Sequence, residues 1–97
     1  MEAPLAVEEV NCSNPFIVYP NPFDGSAKVS FCLKSNNEVQ MSLYSALGQQ
    51  ISTRSLGYMT AGQHETVLDG QNLKSGVYIL QLNTGSEVYS RKVSVVR

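Results

Sequence analysis

The sequence contains no tryptophan, one histidine, two cysteines and two aspartates. A general base needs an orienting partner and a nucleophile, and a zinc site needs about four ligands, so this inventory is thin for catalysis. Charge is scarce as well: charged residues make up 15% of the chain, and seven basic residues against eight acidic ones leave a net charge of -1. A nucleic-acid partner calls for a concentrated positive field, which that balance does not supply. No apolar run approaches the roughly 20 residues of a membrane-spanning helix. Within Met1–Asn14 no basic stretch leads an apolar one, so no secretory signal peptide is visible. Disorder is disfavoured on the opposite ground, because 42% of the residues are apolar and the net charge is small. Ninety-seven residues suffice for one domain and not for two.

What is present favours extended structure. Eleven valines, three isoleucines, four threonines and eight aromatics are strand formers, while alanine appears only five times. Seven glycines, seven asparagines and four prolines punctuate the chain with turns. Residues 1–14 read as a linker or tail, with Ala6–Val10 a candidate edge strand. Phe16–Tyr19 is a short apolar run stopped by Pro20-Asn21-Pro22, whose prolines fix two φ angles and remove two donors, giving a rigid, extended corner. Val29, Phe31 and Leu33 alternate with Lys28, Ser30 and Cys32, and Val39, Met41 and Leu43 alternate with Gln40, Ser42 and Tyr44. Ala46-Leu47-Gly48 turns the chain into Gln50–Leu56, a strand polar enough for a sheet edge.

A loop over Gly57–Gly62 leads into a strand at Glu65–Leu68, and a second loop over Asp69–Gly76 carries Leu73 as a cap on the core. Val77–Leu82 is apolar on both faces and belongs at a sheet centre. Thr84-Gly85 then closes a hairpin into the last strand, Glu87–Val96. About seven strands in this length predict an all-β, two-sheet antiparallel sandwich of immunoglobulin-like type.

His64 lies in the polar stretch GQHET, which reads as an exposed strand start with a solvated imidazole. Cys12 and Cys32 are 20 residues apart and lack the spacing of a metal site. If Phe16–Tyr19 pairs with the following strand, a disulfide could tie the tail to the sandwich; two free thiols fit the sequence equally well. Asn11-Cys12-Ser13 matches the short N-glycosylation triplet. Tyr44, Tyr58 and Tyr89 could form a sugar-stacking platform, although strand tyrosines are more often packing residues. Asp24, Asp69 and Glu87 show no calcium-loop interval, and there is no phosphate loop or GxSxG. The expectation is no catalytic residue, no metal and no cofactor.

The turn elements match a pattern. Tyr19-Pro20-Asn21-Pro22-Phe23 is followed by Leu43-Tyr44-Ser45-Ala46-Leu47-Gly48-Gln49, then Ala61-Gly62-Gln63-His64, then Leu73-Lys74-Ser75-Gly76-Val77-Tyr78-Ile79-Leu80, then a basic strand from Arg91. This order resembles the C-terminal sorting domain of proteins exported by the type IX secretion system of Bacteroidetes, over about Ile17–Arg97.

The resemblance implies an immunoglobulin-like sandwich that acts as a conditional signal rather than a catalyst, at the end of a longer cargo protein. It implies recognition in the periplasm, passage through an outer-membrane translocon and transfer by a shuttle protein. A sortase-like cysteine protease would then remove the domain, within residues 1–14, and anchor the cargo at the cell surface. Residues 15–97 would be the sorting domain.

By the same resemblance, Pro20, Asn21 and Pro22 match the family's proline motif, and Gly76 and Tyr78 its glycine-valine-tyrosine motif. Each of these reads first as a corner, turn or core residue, because a fold-defining motif need not be a contact. Lys92, Val93, Val95, Val96 and Arg97 match the terminal segment on which export depends, as an edge strand free to add to a partner's sheet or to pair with a second copy. Cys12 and Cys32 fall in no family motif. The alternative readings are an adhesive or carbohydrate-binding sandwich of a surface protein, and a structural spacer.

Overall fold

The computed structural model describes Cys12 and residues 15–96. The expected edge strand at Ala6–Val10 and the outer two residues of the glycosylation triplet, Asn11 and Ser13, lie outside the described residues, as does Arg97. Seven strands follow in order: β1 (Phe16–Tyr19), β2 (Ser26–Leu33), β3 (Asn37–Ser45), β4 (Gln50–Met59), β5 (Gly62–Asp69), β6 (Gly76–Asn83) and β7 (Val88–Val95). They form two antiparallel sheets, one ordered β1-β2-β5 and the other β4-β3-β6-β7. The molecule is thus an all-β two-sheet sandwich. In the constant-type immunoglobulin arrangement the fourth strand pairs with the fifth; here β4 pairs with β3 instead.

Local alternation builds the core. Val29, Phe31 and Leu33 point inward from β2, and Val39, Met41 and Leu43 of β3 with Leu80, Leu82, Val93 and Val95 of β6 and β7 face them from the other sheet. β6 lies between β3 and β7, as its two apolar faces predict, and the polar β4 is an edge. Leu73 packs half-buried against the core from its loop. Burying a large aliphatic or aromatic side chain is worth about 1.5–3 kcal/mol against leaving it exposed, so these ten residues, with Phe16, Phe23, Leu68 and Tyr78 of the same core, hold the sheets together.

The structure corrects two expectations. The loop over Gly57–Gly62 is mostly strand: β4 runs to Met59 and β5 starts at Gly62, leaving Thr60-Ala61 as the connection. Gly57 has φ of 84° beside a register shift between Val39 and Gln40, so its glycine serves a bulge that looks like a turn in sequence. His64 is not a solvated side chain. It stands opposite Phe31 on the core-facing side of β5, half-buried, with ring centroids 5.7 Å apart and Nε2 2.7 Å from the Thr60 carbonyl oxygen. An edge strand covers its inward positions only partly, so a polar residue can occupy one.

Candidate functional site: the proline corner and the terminal strand

β1 stops at Tyr19 because Pro20 and Pro22 cannot donate to a ladder. Both X–Pro peptides, Tyr19–Pro20 and Asn21–Pro22, are cis, and residues 20–22 form a bend rather than an extended corner. The bend lays Asn21 and Phe23 along the outer edge of β7. The Asn21 side-chain amide donates from Nδ2 to the Lys92 carbonyl at 3.0 Å, and its Oδ1 accepts from the Ser94 N–H at 3.0 Å. The Phe23 N–H donates to the Ser94 carbonyl and its carbonyl accepts from the Val96 N–H, each at 2.9 Å, making an isolated parallel bridge with Val95. A side-chain amide and one backbone unit together act as a short added strand. Further along, Arg91 Nε donates to the Phe16 carbonyl at 2.8 Å, which ties β7 to β1.

Packing holds the bend in place. The Phe23 ring is 2% exposed and sits over Gly70, where a Cβ would come within 2.6 Å of the ring. The Gly70 N–H also donates to the Gly25 carbonyl at 2.7 Å. Glycine at position 70 is therefore a close-approach residue, required by the phenylalanine above it.

This arrangement corrects the expectation of a free terminal edge. The outward peptide groups of the Lys92–Val96 stretch named above already bond the corner, so an added partner strand would have to displace it first. Nine of the ten candidate recognition residues separate accordingly, and Arg97 lies outside the described residues. Pro20, Asn21, Pro22, Gly76, Lys92 and Val96 are exposed. Tyr78, Val93 and Val95 are buried in the core, so the folded domain does not display their side chains on its surface. The Tyr78 hydroxyl donates to the Lys74 carbonyl at 2.7 Å, closing the loop before β6, and Gly76 opens that strand with φ of 155°.

The family model of the secretion system C-terminal sorting domain matches residues 17–96. The chain belongs to this family. It is the one that the five ordered motifs resemble, and it is a family of type IX secretion signals rather than of enzymes. Export toward the outer membrane, the cell surface or the medium follows from membership. No curated protein matches the sequence significantly.

Elsewhere on the sorting domain, the three tyrosines do not make a platform. Tyr44 and Tyr58 lie on the outer face, beside Gln50 and Glu38 at opposite ends of the β3–β4 pair. Tyr89 lies opposite Leu82 on the inner face and packs against Phe16, with ring centroids 6.4 Å apart. Its hydroxyl donates to Glu87 Oε1. That bond holds the Glu87 carboxyl below its usual range, helped by Lys34 at 3.6 Å, and raises the Tyr89 phenol. On β1, the Tyr19 phenol is likewise raised by donating to Glu65 at 2.7 Å.

Sequence reasoning passed over one exposed apolar residue of the sorting domain, treating it as part of a turn. Leu47 is 90% exposed at the tip of the β3–β4 hairpin. Ser45 Oγ accepts from the Leu47 and Gln49 N–H groups, and Gly48 turns with φ of 91°. The signal was an apolar residue inside a tight turn. Among the described residues, no group of three His, Cys, Asp or Glu side chains could hold a metal ion.

Proposed function

We propose that the sorting domain is read as a folded composite of its first and last motifs, and that it directs a covalently attached cargo through the outer-membrane translocon by way of a shuttle protein. A sortase-like cysteine protease then cuts within residues 1–14 and anchors the cargo, while residues 15–97 are the signal. The observation that carries this reading is the clamp of Asn21 and Phe23 on Lys92, Ser94 and Val96, which joins the two motifs into one surface. Exposed Pro20, Pro22, Lys92 and Val96 are the contact candidates on it, and Tyr78, Val93 and Val95 keep that surface in shape. A Cys12–Cys32 disulfide suits an exported protein.

The test fuses the whole 97-residue chain behind a periplasmic reporter in a type IX-competent strain. Reporter should reach the cell surface. Deleting Lys92–Arg97 is a confounded variant, because it removes the core residues Val93 and Val95. Lys92→Glu combined with Val96→Asp alters only exposed side chains. Delivery should fall at least tenfold while the melting temperature of the purified domain stays put; unchanged delivery defeats the composite-surface reading.

A further inference from the structure

The family motifs leave the two cysteines unused. Cys32 lies on β2 between the core residues Phe31 and Leu33 and is 4% exposed. The structure bonds it to Cys12, with Cα atoms 5.6 Å apart. A second tie runs alongside, since the Cys32 N–H donates to the Pro15 carbonyl at 3.0 Å. The covalent loop closed by the disulfide spans 20 positions and contains all of β1, the proline corner and most of β2.

We infer that the Cys12–Cys32 disulfide is a redox-gated tether that decides which backbone cuts free the sorting domain from what precedes it. Its biological meaning rests on the proposed proteolytic removal; the tether itself rests on the connectivity alone. A cut before Cys12 breaks the one covalent link, a C–N bond: the carbonyl carbon forms a new bond to water or to an anchoring nucleophile, the nitrogen takes that nucleophile's proton and leaves as an amine, and the two parts separate. A cut between Cys12 and Cys32 breaks the same kind of bond but leaves the S–S bond intact, so the upstream part remains attached. Separation then takes two electrons from a dithiol: the S–S bond becomes two thiols, at Cys12 and Cys32, and the reductant becomes a disulfide. In an oxidising compartment such reduction is not expected, so productive removal is confined to positions before Cys12. Cys12 is the more accessible partner for an attacking thiolate, because Cys32 is buried.

The experiment uses the whole chain behind a reporter, with a site-specific protease sequence inserted either between Val10 and Asn11 or between Ser13 and Asn14. Alkylation of the uncut, unmodified chain should find no free thiol; two would overturn the inference. After complete cutting, non-reducing electrophoresis and intact mass should show the first variant separated at once. The second should stay joined until dithiothreitol is added, and separate without it when Cys12 and Cys32 are both replaced by serine. Separation of the second variant without reductant overturns the inference. In the secreting strain, the released domain should begin before Cys12. A domain released unreduced with its N-terminus between Ser13 and Cys32 counts against the inference. Failure of the strain to export the chain counts against the sorting reading alone, because the protease arm gives its answer regardless.

Discussion

The sandwich has two seams where its sheets end, and they are finished differently. At the seam of β1 and β7, Phe23 bridges to Val95, Asn21 caps Lys92 and Ser94, and Arg91 reaches the Phe16 carbonyl. At the seam of β4 and β5, a recess of about 250 Å³ lies between the sheets, lined by Met41, Leu43, Leu68 and Leu80 among others. Arg54 crosses it, donating from Nη2 to Thr66 Oγ1 at 2.7 Å and to the Val67 carbonyl at 3.4 Å. Exposed edges invite pairing with other chains and are protected by covering, charge, polarity or bulges. The first seam is protected by covering. On the second, β4 is exposed from Gln50 to Ser55, and its pairing with β3 shifts register twice. The family's first and last motifs meet at the covered seam, so the residues that mark the signal also seal the sandwich.

The largest effect belongs to Phe23, the only part of the corner that enters the core. Phe23→Ala should cost about 3–5 kcal/mol in urea unfolding, as for other large core truncations. A loss below about 1 kcal/mol would show that the covered seam is superficial, and the contrast between the seams would fail. Asn21→Ala tests the clamp without touching the core. It removes two hydrogen bonds to backbone, each worth about 0.5–1.5 kcal/mol net, and at an exposed site the expected total is about 1–2 kcal/mol. Hydrogen exchange sharpens this: the Ser94 amide, which donates to Asn21 Oδ1, should lose protection, whereas the Leu80 amide in the centre of the sheet should change only by the global loss of stability.

The strands were readable because their cause is local. Val29-Phe31-Leu33 and Val39-Met41-Leu43 alternate within a few residues, and the polarity of Gln50–Leu56 announces an edge without reference to anything distant. Gly57 misled because a bulge and a turn use the same residue for the same backbone reason. His64 misled because inward positions of an edge strand need not be apolar. The clamp is legible only in three dimensions: Asn21 and Ser94 are 73 positions apart, and a side-chain amide imitating a strand leaves no periodic trace. The motif residues were thus visible in sequence, while the fact that they hold one another was not. The cysteine pairing stayed open for the same reason, since nothing near either residue names the other.

The smallest effect is expected at the open seam. Arg54 is exposed and its partners are a hydroxyl and a carbonyl at the edge of β5, where water replaces both bonds at little cost. Arg54→Ala should therefore change stability by about 0.5 kcal/mol or less. For a domain of this size 1 kcal/mol corresponds to about 4–8 °C in melting temperature, so the expected shift is under about 4 °C. Thermal unfolding of Arg54→Ala beside Asn21→Ala is then a direct comparison of one polar bridge at each seam. If the two lose equally, hydrogen bonding closes both seams and the motifs are not special in sealing theirs. If Arg54→Ala is nearly neutral, cohesion at the open seam comes from the buried leucines beneath it, and polar ties such as the clamp matter only where the beginning of the domain meets its end.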